Sequence, residues 1–491
     1  MGLTRRVFAG VGWLLAQTAG TRLILFAAQI VLAKILLPSD FASFALAVTV
    51  TSLFEALISF GVDDVLLQRQ RTMRLWATPA FVTSVGLSIV SMFLVIACMP
   101  AAVLMYEAPV LYSILPIMAV GMPLNSLSIV PAATIRAALN FRFLATYATI
   151  ELAAAQIASI VLALNGFGVL SFVLPGPVLA VVRAALFWFI AKPHLGPLRF
   201  RQLRVLGKTS SAVFGSRVIT AILGQGDYFV LGLFASKPEV GAYFVAFRLA
   251  AHPVRMLAGS LYTVIFPVLA TLRSEPVRQR EAALDACRVL AFITMPLCFM
   301  QAAVTRPLFG LLFGSKWDAA ILPAEILSIA LGFDAVSWIA AALLSARGEF
   351  RRLFMYTCMF LPVFFLFIII GAHLGATTGL AIAVSLFYAT FSPCFSFAVF
   401  RRTGASLRDV AMIYLNSTAI AAIAVGVAVV LVQVVPTGSF GQIGIVVTVG
   451  GGLYLLVLRL VAPLTYNQIK DRVRSTLLTK RPASESLATD R

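Results

Sequence analysis

The sequence predicts an all-α, polytopic membrane protein with about fourteen transmembrane helices, and three observations lead to this fold class. Hydrophobic residues make up 61% of the 491 residues and charged residues only 12%, and the mean hydropathy is +0.99. Soluble domains carry about twice that share of charged residues. Apolar runs of roughly 20 residues, the length that spans a bilayer, recur along the chain. The basic residues cluster in every second gap between these runs.

Each predicted helix corresponds to one apolar run that is bounded by short polar segments. Pro296 and Pro307 interrupt the run at 286–313. We place the helices, numbered 1 to 14 in chain order, at roughly 9–36, 41–67, 78–105, 110–136, 143–165, 168–191, 209–235, 238–270, 286–313, 318–345, 350–373, 376–400, 408–433 and 440–461.

The distribution of Lys and Arg predicts the orientation of these helices. The termini and the gaps on one side hold 29 of the 38 basic residues, and the opposite side holds only Lys34, Lys237, Arg306 and Lys316. Because cytoplasmic loops carry an excess of Lys and Arg, both termini are predicted to be cytoplasmic. The net charge of +19 therefore reflects topology and contact with anionic lipid head groups, and we predict no nucleic-acid partner.

The sequence shows no signature of an enzyme, a metal site or a disulfide framework. The five cysteines are scattered without CxxC spacing, and the three histidines do not pair with them, so we predict neither metal nor cofactor. The GxSxG, HExxH and Walker lysine motifs do not occur. The loops on the predicted outer side are too short to fold as a catalytic domain, so a non-enzymatic transporter is expected.

An internal repeat at about 200 residues predicts two lobes. The segment 32–47 resembles 231–246, with Asp40 matching Glu239 at a spacing of 199 residues. The segment 141–147 similarly resembles 350–356. Helices 1–6 and 7–12 then form two copies of one unit, and an even number of crossings makes them parallel repeats.

This repeat divides the chain into five predicted parts. The two lobes flank a linker whose apolar and basic residues suit a short amphipathic helix at the inner interface. Helices 13 and 14 have no counterpart in the repeat and are expected to lie beside the second lobe. The boundaries are 1–191 for the N-terminal lobe, 192–208 for the cytoplasmic linker, 209–402 for the C-terminal lobe, 403–463 for helices 13–14 and 464–491 for a basic cytoplasmic tail.

Ionisable residues inside the predicted spans are the candidates for function, because a charge at the bilayer centre costs about 2.5–3.5 kcal/mol. Three of them stand at i, i+4 and i+7 on helix 8 and therefore share one face. The predicted substrate-binding residues are Arg22, Arg217, Arg248, His252 and Arg255, and the residues predicted for ion coupling or charge pairing are Glu55 and Asp227.

Internal salt bridges are the alternative interpretation of these charges. Arg22 would pair with Glu55, and Arg217 or Arg248 with Asp227. Four arginines against two acids leave a surplus of two positive charges, which indicates that the substrate brings an anion. Structural pairing is the expected role of four further residues, namely Glu151, Arg183, Glu325 and Asp334.

Short motifs in both halves resemble those of polysaccharide flippases, the lipid-linked oligosaccharide flippases of the multidrug/oligosaccharidyl-lipid/polysaccharide (MOP) superfamily. In the first half these are LAKILLPSDF at 32–41 and FGVDDVLLQ at 60–68, and in the second half GDYFVLGLF at 226–234 and VGAYFVAFRLA at 240–250. Ala42 departs from the family by replacing the usual Gly. In length, repeat and topology the resemblance covers nearly the whole chain.

The resemblance implies a MATE-like pair of six-helix lobes in the bacterial inner membrane, with two extra C-terminal helices. Such a protein moves undecaprenyl-diphosphate-linked oligosaccharide from the cytoplasmic to the periplasmic leaflet by alternating access, during synthesis of exopolysaccharide, capsule or O-antigen. The implied partners are this lipid-linked oligosaccharide, anionic membrane lipids, and the polymerase and chain-length proteins of the same pathway.

Two other functions remain open from the sequence. A cation-coupled drug or metabolite antiporter of the same superfamily should line its pocket with acids, whereas arginine dominates helices 1, 7 and 8 here. A membrane-embedded polysaccharide polymerase or ligase should carry a large periplasmic loop with catalytic residues.

Overall fold

The computed structural model describes residues 20, 24–58, 66, 72–138, 140–198 and 200–461. Within these ranges, the side chains at 141, 200–201, 204–214, 216–217 and 461 are not described. All regular elements in the described ranges are helices, and none of these residues forms a strand. The predicted all-α class is therefore confirmed. The predicted basic tail at 464–491 lies outside the described residues.

The described helices follow the apolar runs of the sequence. In chain order they are α1 Ile24–Ile35, α2 Pro38–Ile58, α3 Met73–Tyr106, α4 Leu111–Ser126, α5 Ile129–Ala137, α6 Phe141–Leu164, α7 Leu170–Val173, α8 Pro175–Ala191, α9 Phe200–Phe234, α10 Lys237–Thr271, α11 Pro276–Leu312, α12 Asp318–Ala346, α13 Phe350–Arg401, α14 Leu407–Val434, α15 Ser439–Ile445 and α16 Gly451–Val461. A π-helical turn at Val446–Gly450 joins α15 to α16.

These helices belong to two units. Unit 1 contains the described residues up to Val245 together with Leu312–Ala320 and Leu361–Leu380. Unit 2 contains Ala246–Leu311, Ile321–Phe360 and the described residues from Ala381 onwards. The boundaries predicted for the lobes, the linker and the tail stay a prediction.

Eleven helical segments among the described residues are long and apolar enough to cross a membrane. The chain is therefore a multi-pass membrane protein. Two shorter apolar helices, Ile24–Ile35 and Val218–Phe234, coincide with the first and seventh predicted spans. The interrupted run that contains Pro296 and Pro307 forms a single helix, α11. The total of fourteen crossings stays a prediction.

The longest helix, α13, is a hairpin of two arms. Its 52 residues are interrupted at Gly375 and Ala376, where Ala376 has φ 44° and ψ −122°. The two arms coincide with the spans predicted at 350–373 and 376–400. About midway along the arms, the Phe360 ring lies 5.5 Å from that of Phe391. This contact shows that the arms run antiparallel.

The two repeated segments start their helices in the same way. In the first, the backbone N–H of Leu37 donates to the Asp40 carboxylate at 3.0 Å. In the second, the backbone N–H of Ser236 donates to the Glu239 carboxylate at 2.9 Å. The acids that match in the sequence thus satisfy equivalent donors at helix N-termini. This equivalence is local, and the symmetry of whole lobes stays a prediction.

The repeated segments also lie directly against each other within unit 1. A Cβ atom at Gly241 would lie 1.8 Å from the carbonyl oxygen of Pro38, so only glycine permits this approach. Nearby, the rings of Phe44 and Phe244 are 6.0 Å apart with their planes nearly perpendicular. The N-terminus of α10 therefore packs backbone to backbone on the N-terminus of α2.

Two of the four basic residues on the sparsely charged side have structural roles. The Lys237 ammonium donates to the carbonyl oxygen of Glu107 at 2.5 Å, just beyond the C-terminus of α3. The Lys316 ammonium donates to the carbonyl oxygens of Lys34 and Leu36 at 2.8 and 3.0 Å, at the C-terminus of α1. Both lysines satisfy carbonyl groups that a helix end leaves without partners.

The segment predicted as a separate amphipathic helix differs in the structure. Lys192 ends α8 in the left-handed conformation, with φ 40°, and residues 193–198 are not helical. From Phe200 the chain forms one helix of 35 residues that runs into the seventh span. Pro193 and Pro197 disfavour helix on their N-terminal side, whereas α9 contains no proline that would end it early.

The C-terminal helices pack on their neighbours through tyrosines within unit 2. The Tyr454 hydroxyl on α16 donates to the carbonyl oxygen of Phe292 on α11 at 2.6 Å. The Tyr414 hydroxyl on α14 lies 2.9 Å from that of Ser396 on α13, and its ring stacks on Phe333 of α12 at 6.0 Å. These bonds satisfy both phenols inside an apolar environment.

We expect reporter fusions to give opposite locations at the two sides of the membrane. Fusions at Gln70, Lys208, Arg401 and the C-terminus should report the cytoplasm, and fusions at Asp40, Glu107, Lys237 and His373 the periplasm. The reason is the asymmetry of 29 against four basic residues under the positive-inside rule. Alkaline phosphatase and green fluorescent protein activities measure the two locations. A periplasmic signal at Lys208 would contradict two lobes of six crossings.

Candidate functional site

A polar cavity of about 600 Å³ lies within unit 1. Its volume falls in the range of small-molecule sites, roughly 300–1,000 Å³. Helices α2, α4, α5, α6 and α8 contribute its walls, and four of its residues are ionisable acids or arginines. The polar and aromatic lining residues are Glu55, Asn125, Ser128, Arg136, Tyr147, Glu151, Arg183 and Phe187.

Arg183 is the best-anchored of these side chains. Its guanidinium lies 3.2 Å from the Glu151 carboxylate, donates to the Ser128 hydroxyl at 3.1 Å and donates to the Asn125 side-chain oxygen. Three partners on three segments hold the planar donor fork in one orientation. The structural pairing predicted for Arg183 and Glu151 is confirmed.

Two aromatic rings lie one helical turn away from the Arg183–Glu151 pair. Tyr147 and Glu151 stand at i and i+4 on α6, and Arg183 and Phe187 stand at i and i+4 on α8, so each pair shares a face. The Tyr147 and Phe187 rings are 4.9 Å apart in an edge contact. The cavity thus combines a charged pair with an aromatic pair, which suits a ligand with both polar and apolar faces.

Removing Arg183 should destabilise the protein, because Glu151 would be left charged and poorly solvated. The two side chains are only 25% and 20% exposed, and we expect Arg183→Ala to lower the free energy of unfolding by about 2–3 kcal/mol. Thermal unfolding in detergent measures the loss. The control is Arg278→Ala, whose pair with Glu275 is 71% and 46% exposed and contributes roughly 0.2–1 kcal/mol. Equal losses in both variants would contradict the structural role of Arg183.

Glu55 faces the same cavity from α2. Its side chain is exposed, and it makes no hydrogen bond or ion pair among the residues that the structure describes. The predicted partner, Arg22, lies outside the described residues. An acid in a membrane helix that faces a polar cavity is a functional candidate.

Asp227 is buried within unit 1, between α9 and α10. Its carboxylate accepts from the Tyr243 hydroxyl at 3.0 Å and from the backbone N–H of Tyr228 at 2.9 Å. The predicted pair with Arg217 lies outside the described side chains. Two of the hydrogen-bond donors to Asp227 are therefore the Tyr243 hydroxyl and the backbone N–H of Tyr228. The sequence did not predict either of them.

Arg248, His252 and Arg255 lie on a single helix, α10, in the part of it that belongs to unit 2. Their spacing on a continuous helix places them on one face, as predicted. Both arginines are exposed and His252 is half-buried. The Arg255 guanidinium sits 5.3 Å from the centroid of the Phe247 ring, a cation–π contact that orients it. It also interacts electrostatically with Asp334 of α12.

The remaining predicted structural acids are accounted for in unit 2. Glu325 pairs with Arg306 at 3.6 Å. The Asp334 carboxylate accepts from the Trp338 indole N–H at 3.3 Å and lies 3.5 Å from the Ser337 hydroxyl. The pairing predicted for Glu325 is confirmed. Across the described part of the chain, no group of three His, Cys, Asp or Glu is arranged to hold a metal ion.

The structure therefore separates the predicted residues into groups. Glu55 and Asp227 belong to unit 1, and the three residues of α10 belong to unit 2. Sequence reasoning missed the roles of Arg136, Tyr147 and Asn125 as cavity residues. The paired i, i+4 spacings on α6 and α8 were the available signal for Tyr147.

Two solved membrane transport proteins share this fold. A structure of the lipid II flippase MurJ, in an inward closed conformation, matches with a TM-score of 0.75 and 14% identity over 94% of this chain and 100% of that one. A mutant of the Vibrio cholerae MATE transporter VcmN matches with a TM-score of 0.51 and 13% identity over 80% of this chain and 97% of that one. The expected MATE-like class is confirmed.

The chain belongs to the polysaccharide biosynthesis protein family, whose model matches residues 31–322. The succinoglycan biosynthesis transport protein ExoT of Rhizobium meliloti is 25% identical over 67% of this chain and 67% of its own length. The lipopolysaccharide biosynthesis protein WzxC of Escherichia coli is 21% identical over 79% of each chain. The resemblance drawn from the motifs is thereby confirmed.

Proposed function

We propose that this protein is a flippase that carries undecaprenyl-diphosphate-linked oligosaccharide from the cytoplasmic to the periplasmic leaflet of the bacterial inner membrane. The observation that carries the proposal is the family match over residues 31–322. Two further similarities support it: relatives named for transport or synthesis of surface polysaccharides, and the fold of a lipid II flippase. The oligosaccharide would enter the synthesis of exopolysaccharide, capsule or O-antigen.

The arginines of α10 supply the proposed contact for the diphosphate. Arg248 and Arg255 are exposed on a helix that is apolar enough to span the membrane, where a cation is costly unless it faces water or an anion. A planar guanidinium can bind phosphate oxygens with two parallel hydrogen bonds. His252 lies on the same face, and Arg22 and Arg217 complete the proposed set.

The membrane potential favours this direction of transport. Because the cytoplasm is negative, outward movement of each negative charge lowers the free energy by about 2.3 kcal/mol per 100 mV. A bound diphosphate would therefore be released more readily on the periplasmic side. Glu55, which has no hydrogen bond or ion pair among the described residues, is the proposed site for coupling to a proton or a cation, and Asp227 is the second candidate for that role.

The cavity of unit 1 is the proposed site for part of the glycan. Sugar hydroxyls both donate and accept hydrogen bonds, and the cavity offers both kinds of group through Asn125, Ser128 and the Arg183–Glu151 pair. Tyr147 adds an aromatic surface on which an apolar sugar face can lie. These contacts suit a neutral or weakly charged saccharide better than a compact cation.

A reconstituted transport assay tests the proposed function. The purified protein is placed in liposomes that carry a fluorescent undecaprenyl-diphosphate oligosaccharide in both leaflets, and a membrane-impermeant quencher reports its movement between them. We expect exchange that depends on the protein and on the diphosphate. Transport of cationic dyes without movement of the lipid-linked sugar would contradict the proposal and favour the antiporter function.

A further inference from the structure

A second cavity of about 740 Å³ lies within unit 2, at the open end of the α13 hairpin. It is distinct from the unit 1 cavity, and nothing in the proposed transport steps uses it. Three arginines and an otherwise mainly apolar set of side chains line it, namely Arg351, Arg352, Arg402, Phe354, Met355, Tyr356, Cys358 and Met359.

Two of the three arginines are available to an anion. The Arg352 guanidinium is bound by the Glu349 carboxylate. By contrast, Arg351 and Arg402 are exposed, and neither makes a hydrogen bond or an ion pair within the described part of the chain. Within the part of the chain that the structure describes, the cavity therefore presents two positive charges without an acidic partner.

The wall beside these charges is suited to acyl chains. Phe354, Met355 and Met359 are 38%, 57% and 56% exposed, and all three are apolar. Methionine is unbranched and flexible, so it adapts to chains of irregular shape. Among the lining residues, none is an Asp, Glu, Asn, Gln, Ser or Thr, so a sugar would find few hydrogen-bonding partners here.

The position of the cavity along α13 matches a membrane boundary. Each arm of the hairpin has about 25 residues and rises about 37 Å, which is enough to cross a hydrocarbon core of about 30 Å. Arg351 is the second residue of the first arm and Arg402 follows the second arm, so both lie at the same end of the hairpin. The charge distribution predicts that this end is cytoplasmic.

We propose that this cavity is a binding site for an anionic phospholipid of the predicted cytoplasmic leaflet. Arg351 and Arg402 bind its phosphates, and the wall formed by Phe354, Met355 and Met359 holds its acyl chains. Two arginines that lack a partner among the described residues match a lipid with two phosphates, so a cardiolipin-type lipid is the expected occupant. Basic pockets between transmembrane helices on this side are suited to such head groups.

Cardiolipin binding to the purified full-length protein tests this site. We measure the affinity of fluorescent cardiolipin in a neutral detergent, for the wild type and for the double variant Arg351→Gln/Arg402→Gln. Loss of two charges near the surface should weaken binding roughly 30-fold. The control is Arg401→Gln/Arg459→Gln, which removes the same charge from exposed positions that do not line the cavity, and which should change affinity less than about threefold.

Two further measurements distinguish this lipid site from a folding defect and from a site for the transported substrate. The variant Arg351→Lys/Arg402→Lys keeps the charge without the planar fork and should retain most of the binding, which also guards against a folding defect in the glutamine variant. Equal losses in the glutamine variant and the control would overturn the site. Undecaprenyl diphosphate that displaces cardiolipin more strongly than unlabelled cardiolipin does would also overturn it, because the cavity would then belong to the transported substrate.

Discussion

Replacing either exposed arginine of α10 by alanine is expected to reduce glycan export strongly while leaving the protein inserted in the membrane. Arg248 and Arg255 are proposed to bind the diphosphate, and a hydrogen bond to a charged group contributes about 1.5–3 kcal/mol. Each single loss should reduce transport by about ten- to a hundredfold, and the double loss should be complete. The same result is expected for Arg22→Ala and Arg217→Ala. Fluorescent lipid movement in liposomes and surface polysaccharide in cells are the measurements.

The lysine variants distinguish charge from geometry. Arg248→Lys and Arg255→Lys should restore part of the transport, because they keep the charge but lose the bidentate fork. The matched control is Arg278→Ala, an exposed arginine in a surface pair, which should transport normally. Unchanged transport in Arg248→Ala/Arg255→Ala would exclude this face as the diphosphate site. Rescue of Arg22→Ala by removing Glu55 would instead indicate an internal salt bridge.

Joining the two repeated segments by a reversible crosslink is expected to stop transport. Ser39 lies beside Pro38, and Ser236 lies on the segment whose Gly241 approaches Pro38. If the predicted lobes separate on this side during the transport cycle, a disulfide between Ser39→Cys and Ser236→Cys must block that separation. Activity should return when a reductant breaks the bond. The background is a variant without the native cysteines, since Cys394 is exposed.

Single-cysteine variants treated in the same way are the controls for this experiment. Ser39→Cys alone and Ser236→Cys alone should keep full transport under oxidation. Full transport with a complete crosslink would show that these segments stay together throughout the cycle. A static groove that lets the lipid move past the protein would then be the better mechanism.

Apolar runs predicted most of the described helices, because in lipid each helix must satisfy its own backbone. The break predicted between 373 and 376 coincides with the kink at Gly375 and Ala376. The linker was harder, because Leu203 and Leu206 among basic residues fit an interfacial helix as well as the first turns of α9. In the structure, one helix continues from Phe200 into the seventh span. The spacing of apolar residues does not predict where a helix continues.

The candidate site was only partly predictable, because its residues come together from distant segments. The Arg183–Glu151 pair could be expected, since a buried charge in a span needs a partner. The rest of the cavity could not, because Tyr147 and Asn125 look like ordinary span residues until α4, α6 and α8 pack. The Tyr243–Asp227 bond was likewise hidden, because arginine was the more obvious partner for a buried acid.

The approach of Gly241 to Pro38 has a consequence for how the protein would change conformation. The contact joins two backbones, and the attraction between packed atoms weakens by a quarter to a half once a gap of roughly 0.5–1 Å opens. Because the attraction falls off over such a short distance, the contact tolerates little displacement before it is lost. Separation of the two repeated segments should therefore be an all-or-none event, and single-molecule distance recordings across it should show two discrete levels instead of a continuum.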